Sequence, residues 1–245
     1  MLDRHTDLAI LPETSFYDEI APHLSRRNEN FRQLLSDWHR LPELGLEVDS
    51  VLKRSGTNPT PARLFTALLE LYAQKSSKPR VGEKTPTHLK HVSSIINDFP
   101  RADIICLVRD GRDVALSLRS MSWFTGNLAD AAQEWLKAAH LLHHFKRTYP
   151  RRFLVVHYEQ LITAPEETLR SIMTFAGLEF QPAQLSPDTP SGVVMPRSLA
   201  WKGQALTAVD KTLASSRRSA ADPAEIRFLN DTLGVELLRL NYSLA

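Results

Sequence analysis

The chain has 245 residues, 42% of them hydrophobic and 24% charged, and a formal net charge of +2. This is the profile of a soluble globular protein of one large or two small domains. The small net charge gives no ground for a nucleic-acid partner, although charge gathered around one cleft still permits a local anion site. A lone Cys106 excludes an intrachain disulfide and, lying in an apolar run, reads as a core thiol. No apolar run approaches the roughly 18 residues a membrane helix needs. No basic segment and apolar core open the sequence as in a signal peptide, so a cytoplasmic protein without a membrane partner is expected.

Near the start, Leu8-Ala9-Ile10-Leu11 is a short strand-like run ended by Pro12, with Glu13-Thr14 directly after it. Glu13 is either a loop carboxylate facing solvent or a functional group at a strand end. Residues 26–40 carry Phe31, Leu34, Leu35 and Trp38 at helical spacing. Leu46 to Leu52 alternates as a surface segment would, and Lys53-Arg54-Ser55-Gly56-Thr57 follows it. That basic, Gly-containing cluster has the letters of a phosphate loop, but a phosphate loop follows a buried strand and opens a helix. Here Asn58-Pro59 intervenes, so the cluster reads as a polar loop. Thr60 and Pro61 are a cap and first residue for a helix reaching Gln74.

Val81 to Pro86 reads as a short extended piece with Lys84 at its end, before a helix over Thr87 to Asn97. His88 and His91 stand three apart on that helix, but no third ligand follows and no metal is expected. Ile104 to Val108 is a continuous apolar run, the pattern of a strand buried on both faces. Arg109-Asp110-Gly111-Arg112-Asp113 follows at once, Gly111 permitting a sharp turn into a helix that begins around Val114. Met121 to Asn127 is an irregular apolar loop that either lines a pocket or plugs the core. A long helix is predicted from Leu128 to Thr148, a second buried strand at Phe153 to Val156 leading into His157-Tyr158-Glu159, and a helix from Pro165 to Phe175 stopped by Gly177. Residues 181–200 are a Pro- and Ser-rich loop of a length common in lids and binding segments. Pro223 to Leu240 is the last helix.

Two buried strands thus end in Arg109 and Tyr158, and shorter extended pieces end in Lys84 and Glu13. Strand ends of this kind can share one edge of a parallel sheet, where open α/β sheets place ligands. A helix start beside Arg109 favours an anion. The residues alone describe an anion site with a candidate general base. Each also has a plainer reading: Arg109 as the ion partner of Asp110 or Asp113, Lys84 as surface charge, Tyr158 as a strand-end residue, Ser117 as a helix serine bonded to its own backbone.

These motifs, in this order, resemble the 3'-phosphoadenylyl sulfate-dependent sulfotransferases, in the branch holding the tyrosylprotein sulfotransferases and many bacterial relatives. The resemblance rests on the stretch from Met1 to Thr14, on Glu83-Lys84-Thr85-Pro86, and on Leu107 to Arg112 with Ser117 eight residues after Arg109. Val155 to Leu161 and Leu233 to Tyr242 complete it. It implies an α/β fold, a mainly parallel sheet flanked by helices of the P-loop NTPase-like sulfotransferase kind, as a single domain over 1–245. The family's first strand and its Arg-Ser-Gly-Thr-Thr loop, which holds the 5'-phosphosulfate, would come just before Met1. The expectation is therefore a domain without that strand and loop, explained by a start assigned too late.

The resemblance further implies sulfuryl transfer from 3'-phosphoadenylyl sulfate to an acceptor hydroxyl, on a small molecule, sugar or peptide, leaving adenosine 3',5'-bisphosphate. Glu13 matches the catalytic base and Lys84 the lysine that stabilises the transition state. Arg109 and Ser117 match the 3'-phosphate site, and Tyr158 a nucleotide contact. Ser191, Ser198 and Lys202 fall, by a looser match, in the loop that closes over the nucleotide. A homo-oligomer is left open. The alternative is an inactive, truncated member that binds only a 3'-phosphoadenosine nucleotide or a protein partner.

Overall fold

The computed structural model describes residues 1–24, 30–56, 58–186 and 216–244. The chain forms two compact units: of the described residues, one takes those of Met1–Ala102 with 180–186, the other those of Asp103–Glu179 with 216–244.

In the first unit, β1 (Leu8–Leu11) pairs in parallel with β2 (Arg80–Glu83), Leu8 opposite Arg80 and Leu11 opposite Glu83. A parallel pair needs a crossover, and here it is helical. It runs through α1 (Phe16–Glu19), α2 (Phe31–Asp37), α3 (Arg40–Leu44), α4 (Val48–Ser55) and α5 (Pro61–Ser76). The buried side chains of β1 and of these helices form one core, in which the rings of Phe16 and Phe65 stack with centroids 4.5 Å apart. Burying a Leu or Phe of this kind contributes about 1.5–3 kcal/mol. Helix α5 begins as its sequence predicts: Thr60 Oγ1 accepts from Arg63 N at 3.3 Å, and Pro61 occupies the first turn.

Three expectations change in this unit. The segment read as an alternating surface stretch is helix α4, with Val51 fully buried. Its 3.6-residue period outweighs the shorter alternation. The Arg54-Ser55 pair closes that helix instead of forming a loop, and Arg54 donates to Glu70 at 2.8 Å and to Gln74 at 3.3 Å. The helix expected over Thr87 to Asn97 is a 3-10 turn, Pro86–His91, followed by α6 (Val92–Asp98).

In the second unit, β3 (Ile104–Val108) pairs in parallel with β4 (Phe153–His157), Val108 opposite His157. Around them lie α7 (Gly111–Arg119), α8 (Leu128–Thr148), α9 (Tyr158–Thr163), α10 (Pro165–Phe175), α11 (Ser216–Ser219) and α12 (Pro223–Arg239). Helix α8 opens with a capping box between Asn127 and Asp130, and Gly177 at φ 65° follows the end of α10.

β3 is not buried on both faces as its apolar run suggests. Leu107 is 52% exposed, and among the described residues β4 is the strand's one neighbour. Gly111 makes no left-handed turn; it opens α7 itself. Its missing side chain makes room for Trp135, whose ring carbons would lie 2.6–2.8 Å from a Cβ there. In the loop 121–127, Trp123 is exposed and so does not plug the core.

Candidate active site

Both units carry side chains singled out by the sequence at the carboxyl ends of a parallel strand pair. In the first, the register brings the chain beyond Leu11 beside the chain beyond Glu83. Glu13 and Lys84 therefore emerge together, and the Lys84 ammonium donates to the Glu13 carboxylate. The lysine is mostly exposed, while the Glu13 side chain is only 17% exposed. Arg40 donates to the Glu13 carbonyl oxygen at 3.0 Å, tying the strand exit to α3.

Beneath this pair lies Glu83, which sequence reasoning passed over as part of a motif. Its Oε1 accepts from Thr14 N at 2.9 Å, Thr14 Oγ1 at 2.8 Å and Thr85 Oγ1 at 2.5 Å. Its Oε2 lies 2.9 Å from His88 Nδ1. Burial works against the charge, but His88, Thr85 and the Thr14 amide together hold the Glu83 carboxyl below the usual carboxylate range. His88 is thereby engaged, and His91 bonds Asp18 at 2.9 Å. Among the described residues no group of side chains is arranged to hold a metal.

In the second unit, the register of β3 and β4 sets Arg109 beside Tyr158. The Arg109 guanidinium carbon lies 4.8 Å from the centre of the Tyr158 ring, a cation–π stack. Arg109 also approaches Asp113 at 3.8 Å, so the ion-partner reading is realised in part. Asp110 belongs instead to Arg112, whose guanidinium meets both its oxygens at 3.0 and 2.8 Å. Arg218 adds a further contact to Asp110, and its backbone N–H donates to Asp113 at 2.9 Å. Burial pushes the Asp113 carboxyl up, opposed by that amide and by Arg109.

Ser117 sits eight residues beyond Arg109 on α7, half-buried. Among the described residues its hydroxyl joins no hydrogen bond of the Arg109 cluster, and its carbonyl accepts from Ser120. Ser191, Ser198 and Lys202 lie outside the described residues.

Sequence reading also missed Glu159 and Tyr242. The Glu159 carboxylate accepts from Asp110 N and from the Tyr242 hydroxyl, each at 2.9 Å. It thereby clamps the turn that presents Arg109. Burial, with the Glu159 charge and hydrogen bond, raises the Tyr242 phenol, which stays un-ionised as a donor. The signal for Glu159 was its place next to Tyr158 at a strand end; nothing local marked Tyr242.

Each unit thus sets charged side chains at the carboxyl ends of a parallel strand pair: Glu13 with Lys84 in the first, Arg109 stacked on Tyr158 in the second. The chain belongs to the sulfotransferase family, whose sequence model matches residues 1–182. Among its relatives is the protein-tyrosine sulfotransferase of Drosophila melanogaster, 28% identical over 203 residues, covering 79% of this chain and 38% of that protein. Protein-tyrosine sulfotransferase 1 of Danio rerio is 26% identical over 191 residues, covering 76% of this chain and 50% of that one. The chain thus spans half or less of the length of these relatives. In fold it is similar to the sulfotransferase domain of the curacin biosynthetic pathway, with a TM-score of 0.68 at 18% identity over 100% of this chain and 93% of that one. It is likewise similar to the sulfotransferase domain of the Synechococcus PCC 7002 olefin synthase, with a TM-score of 0.62 at 20% identity over 98% and 95% of the two chains. The fold is accordingly the α/β sulfotransferase fold, parallel strands flanked by helices.

Proposed function

We propose that this sulfotransferase moves the sulfuryl group of 3'-phosphoadenylyl sulfate to an acceptor hydroxyl. The observation that carries the reading is the contact between Glu13 and Lys84 at adjoining strand ends. An acceptor hydroxyl needs a base as its oxygen attacks sulfur, and the Glu13 carboxylate takes that proton. The new O–S bond forms as the bond from sulfur to the phosphate oxygen breaks, and the electron pair leaves with that phosphate. Sulfuryl transfer, like phosphoryl transfer, gains most from positioning and charge stabilisation, which the Lys84 ammonium supplies at the departing oxygen.

Arg109 suits the 3'-phosphate. Its planar guanidinium offers paired N–H donors to a phosphate, and the Tyr158 ring braces its face. Ser117 would add a hydroxyl from α7, and Tyr158 a nucleotide contact. Ser191, Ser198 and Lys202, outside the described residues, remain part of the proposal as nucleotide contacts. The names of the relatives make a tyrosyl phenol the first acceptor to try.

The test is transfer of labelled sulfate from 3'-phosphoadenylyl sulfate to a tyrosine-containing peptide, a simple phenol and a sugar. Transfer to any of them is expected, with Glu13→Ala slowing turnover by about 10²–10⁴-fold. Full turnover in Glu13→Ala would refute the base, and absence of transfer to any acceptor would refute the reading.

A further inference from the structure

Glu83 ends β2 and sits directly before Lys84, with its side chain 7% exposed. A buried carboxylate is costly unless hydrogen bonds replace its lost water. Here they do, and the partners are the chain neighbours of the proposed catalytic groups. Thr14, which follows Glu13, gives both its amide and its hydroxyl. Thr85, which follows Lys84, gives its hydroxyl. The stitching continues on either side: Ser15 N donates to Thr85 Oγ1 at 3.0 Å, and Tyr17 N points at His88 Nε2 at 3.5 Å. With Nε2 accepting, the His88 proton lies on Nδ1 and is donated to Glu83. Ser15, between these anchors, holds a left-handed φ of 50°, a conformation that persists where surrounding contacts impose it.

We infer that Glu83 is a positioning residue for sulfuryl transfer, its carboxylate clamping Thr14 and Thr85 so that Glu13 and Lys84 face each other. The inference rests on the reading of those two as base and stabilising cation. Glu83 itself is no base for the acceptor: both its oxygens are engaged by donors and it is shut away from solvent. In Glu83→Gln the Thr14 amide and the Thr85 hydroxyl keep only a neutral, weaker acceptor, the new amide NH2 meets the His88 Nδ1–H as donor against donor, and the strand exits are free to shift. Displacement of reacting groups by about 1 Å costs on the order of 100-fold in rate.

The experiment compares steady-state kinetics and nucleotide binding for wild type, Glu83→Gln, Thr85→Val and Thr85→Ser. Expected for Glu83→Gln is a fall in kcat of about 10–100-fold. The KM for 3'-phosphoadenylyl sulfate and the calorimetric affinity for adenosine 3',5'-bisphosphate should stay within about twofold, because the proposed 3'-phosphate grip lies elsewhere in the chain. Thr85→Val, a milder change should Glu83→Gln not fold, is expected to lower kcat about tenfold. Thr85→Ser, which restores the hydroxyl, should return kcat to near wild type. A wild-type kcat in folded Glu83→Gln or in Thr85→Val overturns the inference and leaves the catalytic reading standing. So does a parallel loss of kcat and nucleotide affinity, which marks a merely structural role. A wild-type chain without transfer overturns the catalytic reading first, and this inference with it.

Discussion

Arg109 rests its guanidinium on the ring of Tyr158, 4.8 Å from carbon to centroid. The stack fixes the plane of the arginine, the geometry in which the proposed 3'-phosphate grip would meet paired donors. Lysine keeps the charge but loses the plane and the paired donors. Arg109→Lys is expected to weaken adenosine 3',5'-bisphosphate binding about tenfold, and Arg109→Ala about a hundredfold. Isothermal calorimetry reads both. Unchanged affinity in Arg109→Ala would remove this residue from the nucleotide site.

Arg112 and Asp110 form a pair whose side chains are 3% and 0% exposed. Arg112 also donates to Asn230 at 2.8 Å and to the Ser243 carbonyl at 2.6 Å, docking α12 and the segment after it onto α7. Removing one partner of such a pair strands the other charge. Arg112→Met should destabilise the chain by about 3–5 kcal/mol. Arg112→Met with Asp110→Asn should recover part of that, though not the share of Asp110 in binding Arg218. Urea unfolding of the single and double variants measures the difference.

At Gly111, a Cβ would lie 2.6 Å from the Trp135 ring, whose Nε1 donates to the Arg109 carbonyl at 3.1 Å. Gly111→Ala must push that indole away and disturb the bond that orients the Arg109 peptide. A loss of about 1–3 kcal/mol in stability is expected, together with weaker nucleotide binding. Thermal melting and calorimetry check it; a variant with the wild-type melting point would show that the ring yields freely.

The Glu83 carboxyl lies below its ordinary range in the folded chain. A group whose folded pKa is depressed contributes stability that is present above its unfolded pKa, about 4.3 for a glutamate, and lost as pH falls through the folded value. Glu83→Gln should therefore flatten the acid side of the stability curve. The gap from wild type should be full at pH 7 and shrink steadily below about pH 4. Melting temperatures across that interval decide it, and a gap independent of pH would mean that the charge of Glu83 contributes nothing.

Where the controlling interactions are local, sequence reading was accurate. Pro61 after its Thr60 cap and Gly177 after α10 act within a turn or so of the boundary they set. The apolar runs at Leu8–Leu11 and Ile104–Val108 are strands with those bounds. Glu13 and Lys84 each stand at a strand end, but their roles came from the family resemblance; the β1–β2 register is what makes them neighbours. Gly111 was given the wrong reason, a turn, because the Trp135 ring that crowds it comes from a distant helix.

Strand, helix and cap signals act over a few residues, so the amino-acid order was enough to place them and to put charged groups at the strand ends. The choice of partner for each charge needed the folded chain. Glu83 meets Thr14 across 69 positions, Glu159 meets Tyr242 across 83, and Arg112 meets Asn230 across 118. No local pattern encodes such a meeting. Packing decides it: a polar group withdrawn from water must take whatever partner the folded chain brings within about 3 Å.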